Sequence, residues 1–222
     1  GSYDHRYMTI EALEDGLTAK MTRNALEYSV NGGEWISLAA NAETPAVSKG
    51  DFISFRGNSP SITSSNGIFT ISKKCNLWGN CNSLLFGDNA EGSNLEANYS
   101  FYRLFKNNTN IVSVSKDFLP STLTAGRCYY EMFYGCTSLT SAPDLSATNL
   151  GNYCYYSMFY GCTSLTTVPS MSITRTGNYS CYRMFYNCSM LEDASSINIY
   201  ALSSSSCNQM FYGCSSLITP PY

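Results

Sequence analysis

A five-residue phrase returns at a fixed interval and limits what this chain can fold into. "MFYGC" stands at residues 132–136, 158–162 and 210–214, and the near copy "MFYNC" stands at 184–188. Successive copies are 26 residues apart, counted from Met132 to Met158 and onward. Self-similarity at a period of this length is typical of repeat architectures, in which each unit buries its apolar side against the next one.

The period divides the chain into two parts. Residues 97–222 hold about five units, whereas residues 3–90 have no such period. In the earlier part apolar and polar residues alternate in short runs such as "YMTIEAL", "LEYSV", "EWISL", "DFISF" and "SLLF", and "NGG" at 31–33 predicts a hairpin. We therefore expect an all-β, sandwich-like domain over 3–90, followed by a repeat domain over 97–222.

The start of each unit has the spacing of a helix. Counted from each Met as zero, positions −4, −3, 0 and +1 hold Cys128, Tyr129, Met132 and Phe133 in the second unit. Residues at these offsets share one helix face. Position +3 is always Gly or Asn, as expected where a helix ends in a left-handed residue. The pattern predicts a short helix of about two turns.

A short strand is expected after each helix. Cys at +4 and Leu at +7 follow the pattern C-x-x-L-x-x-A/V, and stacked strands lie about 4.7–4.9 Å apart. Equivalent side chains from successive units then form continuous inward ladders, which offset the entropy lost in ordering the backbone. The predicted core ladder consists of Met132, Met158, Met184, Met210, Phe133, Phe159, Phe185, Phe211, Cys136, Cys162, Cys188, Cys214, Leu139, Leu165, Leu191 and Leu217.

These units resemble a known family. "MFYGC" and "GCTSLT" are similar to the units of BspA-like leucine-rich repeats, which occur on surface proteins of gut and oral bacteria, with Met-Phe in place of Ala-Phe. The resemblance covers 97–222 closely and 7–96 more loosely, and the chain departs from it at Ser180, Ser206 and Asn208. It implies a right-handed leucine-rich-repeat solenoid with short helices, short parallel strands and a 26-residue period. It also implies a role in adhesion and an extracellular or cell-surface location, with outer-membrane anchoring left open.

The ten cysteines follow the repeat rather than a disulfide framework. Cys136 and its three equivalents form one column, as buried small apolar residues do, which favours reduced thiols. Cys128 and Cys154 form a second column, and Cys181 and Cys207 form a third, shifted by one residue. Cys75 and Cys81 lie outside the pattern, and a disulfide between them stays open.

Two tyrosine columns are the predicted binding residues. They stand at −2 and +2, four residues apart, and are placed opposite Met and Phe on the convex outside: Tyr130, Tyr134, Tyr156, Tyr160, Tyr182, Tyr186 and Tyr212. Tyrosine offers contact area at low entropic cost. The alternative is that the rings only pack on each other between units. The polar strand face around Thr140, Thr166 and Glu192 is a rival binding surface.

Composition argues against several classes of function. A net charge of -3 with 13% charged residues gives nothing to attract nucleic acid, and no apolar run is long enough to span a membrane. The single histidine, His5, has no second histidine with which to assemble a catalytic base, and no carboxylate pair is convincing. We expect no enzyme, no cofactor and no metal site.

The sequence therefore predicts a non-enzymatic adhesion protein that binds a host or surface macromolecule through its repeats. Glycan recognition and a structural stalk in a surface or phage-borne assembly are the alternatives. The last unit stops at "TPPY". Either the natural protein is longer, or this end pairs with another copy in end-to-end self-association.

Overall fold

The computed structural model describes residues 4–58 and 67–221. Helix within them is limited to α1 (Ser83–Phe86) and one 3₁₀ turn at Gly87–Asn89. The strands are β1 (Met8–Ala12), β2 (Ala19–Met21), β3 (Leu26–Val30), β4 (Ile36–Leu38), β5 (Phe52–Arg56), β6 (Phe69–Ile71), β7 (Cys75–Trp78), β8 (Ile111–Val114), β9 (Met171–Ile173) and β10 (Ile197–Ile199). Turns make up most of the remainder, particularly in the repeats.

A six-stranded sheet, in the order β4-β3-β5-β1-β7-β8, organises the first half of the chain. Strand β1 lies between β5 and β7, and Ile10 on β1 is fully buried opposite Ile53. The hairpin predicted at 31–33 is confirmed, since β3 and β4 pair antiparallel around Asn31 and Gly32, both with positive φ. The run "SLLF", expected to be a strand, is the helix α1.

The two halves of the chain share one hydrophobic core. Strand β8, from the first repeat, pairs in parallel with β7. The Phe69 N–H on β6 donates to the Leu104 carbonyl at 2.7 Å, and the Phe69 ring lies 6.0 Å from that of Phe105. Strands of the first half therefore cover the side of the first repeat that has no earlier repeat to pack on.

The predicted fold class is wrong. A leucine-rich-repeat solenoid of the expected kind needs a short helix in every unit, and none of the described repeat residues is helical. The first 90 residues also do not form a sandwich by themselves, because their main sheet takes its sixth strand from the first repeat and the second sheet has only β2 and β6. The protein is mostly strand and turn, arranged in several sheets.

Overlapping turns occupy the segment where the helix was expected. The N–H groups of Tyr130 and Met132 donate to the carbonyls of Arg127 and Tyr129, three residues back, at 3.4 and 3.2 Å. The N–H groups of the alternate residues leave the repeat: that of Tyr129 donates to the Cys154 carbonyl at 3.0 Å, and that of Glu131 to the Tyr156 carbonyl at 2.9 Å. Along the segment, N–H groups thus alternate between donating to a carbonyl of the same repeat and donating to a carbonyl of the next repeat. This satisfies the backbone without the four-residue-back bonds of an α-helix.

Every fourth residue of this turn run has left-handed backbone. In the second repeat these residues are Arg127, Glu131 and Gly135, with φ of 57°, 50° and 72°. A left-handed conformation costs about 1–2 kcal/mol for a residue other than glycine. Each one donates its N–H to the next repeat, as Glu131 does to the Tyr156 carbonyl at 2.9 Å. Stacking of the repeats therefore offsets strain that an isolated unit could not sustain.

The predicted core residues lie inside the repeat stack. Leu139, Leu165 and Leu191 are all completely buried, and so are the Met, Phe and Cys residues of the same repeats. In the last repeat Met210 is buried, whereas Phe211, Cys214 and Leu217 are only partly buried. The short strand expected at C-x-x-L-x-x-A/V is reduced to isolated bridges such as Ser113 with Ser141. The regular parallel pairing comes later, where β9 pairs with β10.

All ten cysteines are free in the structure. Cys75 and Cys81 are both buried, and no bridge joins them. In the main column each thiol donates to a phenylalanine carbonyl of the preceding repeat, as Cys162 does to Phe133 at 3.2 Å and Cys188 to Phe159 at 3.1 Å. These cysteines therefore act as small apolar residues with a weak donor.

Candidate functional site

The two predicted tyrosine columns form continuous stacks on the surface of the repeats, here called the tyrosine face. In the first stack the ring of Tyr130 lies 4.5 Å from that of Tyr156 at an interplanar angle of 1°. In the second stack Tyr134 lies 4.5 Å from Tyr160 at 11°. The full stacks are Tyr102, Tyr130, Tyr156 and Tyr182, and Tyr134, Tyr160, Tyr186 and Tyr212.

Stacking decides which part of each ring can meet a partner. Rings about 4.5–5 Å apart in parallel cover each other's faces, so the inner members present only their edges and hydroxyl groups. Tyr212, at the end of its stack, is 59% exposed. A sugar that stacks on an aromatic face would find such a face only at an end of the stack.

Cationic side chains lie between and over the tyrosines. The Arg183 guanidinium is 5.0 Å from the ring centre of Tyr182 and 5.2 Å from that of Tyr186, so it bridges the two stacks. Arg103 lies over Tyr102 and Tyr130, which are neighbours within the first stack. The structure brings these arginines into the site, whereas the sequence predicted only the tyrosines. The sequence signal that could have pointed to them is their position, one residue before the Met position of the repeat and next to the tyrosine at −2.

Glu131 connects the cations at the first two repeats. Its carboxylate accepts from Arg103 Nε at 2.8 Å and from Lys106 Nζ at 2.9 Å, and it is nearly buried while both cations are partly exposed. The Lys106 ammonium also lies 4.6 Å from the Tyr134 ring centre. The charges at this end of the tyrosine face are therefore paired and held in fixed positions.

Burial moves the pKa of the tyrosine hydroxyls further above neutral pH. It is the main cause that raises the pKa of Tyr130, and the nearby Glu131 carboxylate adds to it. Burial likewise raises the pKa of Tyr102, Tyr134 and Tyr156. At neutral pH these phenols stay protonated, so each can donate and accept a hydrogen bond.

A third column, at position −5, interleaves tyrosine with arginine beside a polar groove. The Arg127 guanidinium lies 4.5 Å from the Tyr153 ring centre and 5.4 Å from that of Tyr99, and Tyr153 stacks on Tyr179 at 5.3 Å. The adjoining open groove, of about 720 Å³, is lined by residues of several repeats, including Asn98, Arg127, Asn152, Arg175 and Asn178. Planar amide and guanidinium groups of this kind can hydrogen-bond to neutral polar ligands.

The rival polar surface is less distinctive. Thr140 and Glu192 are exposed, and Thr166 is partly so. The Thr140 hydroxyl is already used, since it donates to the Val112 carbonyl at 3.0 Å. Thr140 and Thr166 therefore serve as reference positions away from the tyrosine face.

The described ranges hold no assembled metal-binding cluster. His5 is exposed, with Nδ1 3.3 Å from an Asp117 oxygen, and residues 4–58 and 67–221 hold no cluster of three His, Cys, Asp or Glu side chains that could bind a metal ion. Within these same ranges no helix has the length and apolar character needed to cross a bilayer. The absence of enzyme activity and of a cofactor stays a prediction.

No protein-family model, curated protein or solved structure matches the chain. The resemblance to BspA-like repeats thus rests on the sequence units alone, and the structure lacks the helices that such repeats were expected to bring.

Proposed function

We propose that this chain is a non-enzymatic binding protein that engages a partner protein through the tyrosine face, in adhesion at a cell surface or outside the cell. The observation that carries the proposal is the pair of uninterrupted tyrosine stacks, bridged by Arg183, with Arg103 lying over the first stack. Tyrosine and arginine are, with tryptophan, the residues most enriched among those that contribute most of the binding energy at protein interfaces.

Preorganisation supports this proposal. Each inner ring is held by neighbours on both faces, as Tyr156 is by Tyr130 and Tyr182, so little side-chain entropy remains to be lost on binding. Neutral hydroxyl edges and a few paired charges suit a partner that offers hydrogen-bonding groups rather than strong charge. The occupied ring faces favour a protein over a stacked sugar.

The test compares binding of the full chain to a panel of immobilised host extracellular-matrix proteins, with variants that separate hydroxyl from ring. Tyr156→Phe combined with Tyr160→Phe keeps both stacks and removes two hydroxyls. We expect Kd to rise about tenfold, from about 1–2 kcal/mol of lost hydrogen bonding. The matched control is Thr140→Ala combined with Thr166→Ala, which should leave Kd unchanged. Loss of binding in the control pair alone would move the site to the polar surface and refute the proposal.

Glycan recognition is a second candidate, favoured by the polar groove beside Tyr153 and Tyr179. Its amide and guanidinium groups come from successive repeats and so recur along the groove. On a glycan array, Arg175→Ala should then abolish binding that the Tyr156→Phe and Tyr160→Phe pair retains. If neither surface binds any member of either panel, a structural stalk becomes the better interpretation.

A further inference from the structure

The last two repeats depart from the others at one pair of core positions. Position −3 holds Tyr129 and Tyr155 in the second and third repeats, but Cys181 and Cys207 in the fourth and fifth. At position −4 the cysteines of the earlier repeats give way to Ser180 and Ser206. The exchange places two thiols at equivalent sites of adjacent repeats.

Backbone pairing sets these two residues side by side. The Cys181 N–H donates to the Ser206 carbonyl at 2.8 Å, and the Arg183 N–H donates to the Asn208 carbonyl at 3.0 Å. Neighbouring chains paired in this way lie about 4.8 Å apart, inside the Cα separation of about 4.4–6.8 Å that a disulfide spans.

The side chains at this position also run in the same direction. At the equivalent position of the preceding repeats, the rings of Tyr129 and Tyr155 stack 5.7 Å apart at an angle of 18°. Cys181 and Cys207 are joined by the same backbone hydrogen-bond pattern as Tyr129 and Tyr155, and each thiol is the main influence on the pKa of the other.

The remaining cysteines are placed differently. Cys136, Cys162 and Cys188 are buried, and each thiol is held by a phenylalanine carbonyl at 3.1–3.2 Å. Burial raises the pKa of each of these thiols. They are therefore kept as neutral thiols away from any reagent.

Cys207 differs from these three in exposure, and from the partly buried Cys214 in that the Cys214 thiol is held by the Phe185 carbonyl at 3.0 Å and has a raised pKa. Cys207 is only partly buried, whereas Cys181 behind it is completely buried. The neighbouring Cys181 thiol, aided by Ser206, lowers the pKa of Cys207 to about 7, and Cys207 in turn raises the pKa of Cys181. At neutral pH the inner sulfur therefore keeps its proton, whereas the outer sulfur is partly ionised and is the nucleophile of the pair.

We propose that Cys207 and Cys181 form a redox-active dithiol pair that closes a disulfide between the fourth and fifth repeats on reaction with hydrogen peroxide. The Cys207 thiolate attacks the peroxide oxygen, the O–O bond breaks, and with one proton taken up the products are a Cys207 sulfenic acid and water. The Cys181 sulfur then attacks the Cys207 sulfur, the S–O bond breaks, and a second water leaves with the Cys181 proton. Two thiols are oxidised to one disulfide, and one hydrogen peroxide is reduced to two waters.

The test treats the full native chain with a small excess of hydrogen peroxide, blocks remaining thiols with an alkylating reagent, and maps the peptides by mass spectrometry. We expect one cross-linked peptide pair, joining Cys181 to Cys207, with the loss of two hydrogen atoms. In a separate time course on the untreated chain, alkylation of Cys207 at neutral pH should be at least about tenfold faster than that of the other nine cysteines.

Variants assign the two roles. Cys181→Ser should leave a sulfenic acid at Cys207 that dimedone traps, and Cys207→Ser should abolish the disulfide. Cys188→Ser, in the carbonyl-held column, is the matched control and should give the same disulfide as the unaltered chain. The proposal is overturned if Cys207 of the native chain alkylates no faster than the buried cysteines, or if peroxide links other cysteines instead. The alkylation time course uses the unaltered chain, so it still tests the proposal if a variant fails to fold.

Discussion

Replacing Phe159 with alanine tests whether the repeats are held together by a continuous file of rings. Phe159 is completely buried, and its ring lies 5.6 Å from Phe133 and 5.5 Å from Phe185, parallel to within 5°. Truncating a fully buried phenylalanine costs about 3–5 kcal/mol of the free energy of unfolding. Two lost ring contacts, at about 0.5–1.5 kcal/mol each, place the expected cost in the upper part of that range.

Phe211 supplies the matched control because it ends the same file. Its ring has Phe185 on one side at 5.6 Å and is partly exposed on the other. Half the burial and half the stacking predict a cost of about 1.5–2.5 kcal/mol for Phe211→Ala. Urea unfolding followed by circular dichroism, with the slope checked for constancy, measures both costs. Equal costs for the two variants, or less than about 1 kcal/mol for Phe159→Ala, would refute the reasoning.

Three further predictions follow from single contacts. Tyr155→Phe should leave the free energy of unfolding unchanged or raise it by about 1 kcal/mol, since the buried hydroxyl has no hydrogen-bond partner among the described residues; a loss of stability in urea would contradict this. Gly151→Ala should lower stability by about 1–3 kcal/mol, because a Cβ there would lie 2.4 Å from the Ala125 carbonyl carbon, and an unchanged melting temperature would disprove the close approach. The alkylation rate of Cys207 should rise as pH increases through about 7 and then level off, because the thiolate is the form that reacts. The groups that face Cys207, the Cys181 thiol and the Ser206 hydroxyl, stay neutral over this range. A rate that still rises steeply above pH 9 would indicate an ordinary thiol.

The inward columns could be predicted from sequence, whereas the backbone that carries them could not. A run of turns that repeats every four residues buries Cys128, Met132 and Cys136 on one side, much as a helix with 3.6 residues per turn would. The distinguishing feature is a left-handed residue at every fourth position. Only Gly135 signals it, because Arg127 and Glu131 are residue types that rarely adopt positive φ. The cost at those positions is met by hydrogen bonds to other repeats, which no local pattern reveals.

The candidate site was predictable in part for a similar reason. The spacing of Tyr130 and Tyr134 placed both columns outside, and the structure puts them at the half-buried surface. The distance between rings depends on how far apart the stacked repeats lie, which the sequence does not give. That the ring faces cover one another is therefore seen only in the structure. The contact of Arg183 with two tyrosines and the pairing of Cys181 with Cys207 also join residues that only the stacking brings together.

The bonds between turn runs have a single polarity. In each of the first four repeats five N–H groups of the turn run donate to carbonyls of the following repeat, at 2.6–3.4 Å. Among the described residues, no N–H group of these turn runs donates to a carbonyl in the turn run of the preceding repeat. Their dipoles add, as they do along an α-helix, instead of cancelling as they do between antiparallel strands. Each unit therefore has a donor edge and an acceptor edge along this segment. If two copies met through their donor edges, N–H groups would face N–H groups. A twofold end-to-end pair is therefore mismatched along this segment. The donor edge is complementary only to a surface rich in carbonyl or carboxylate groups.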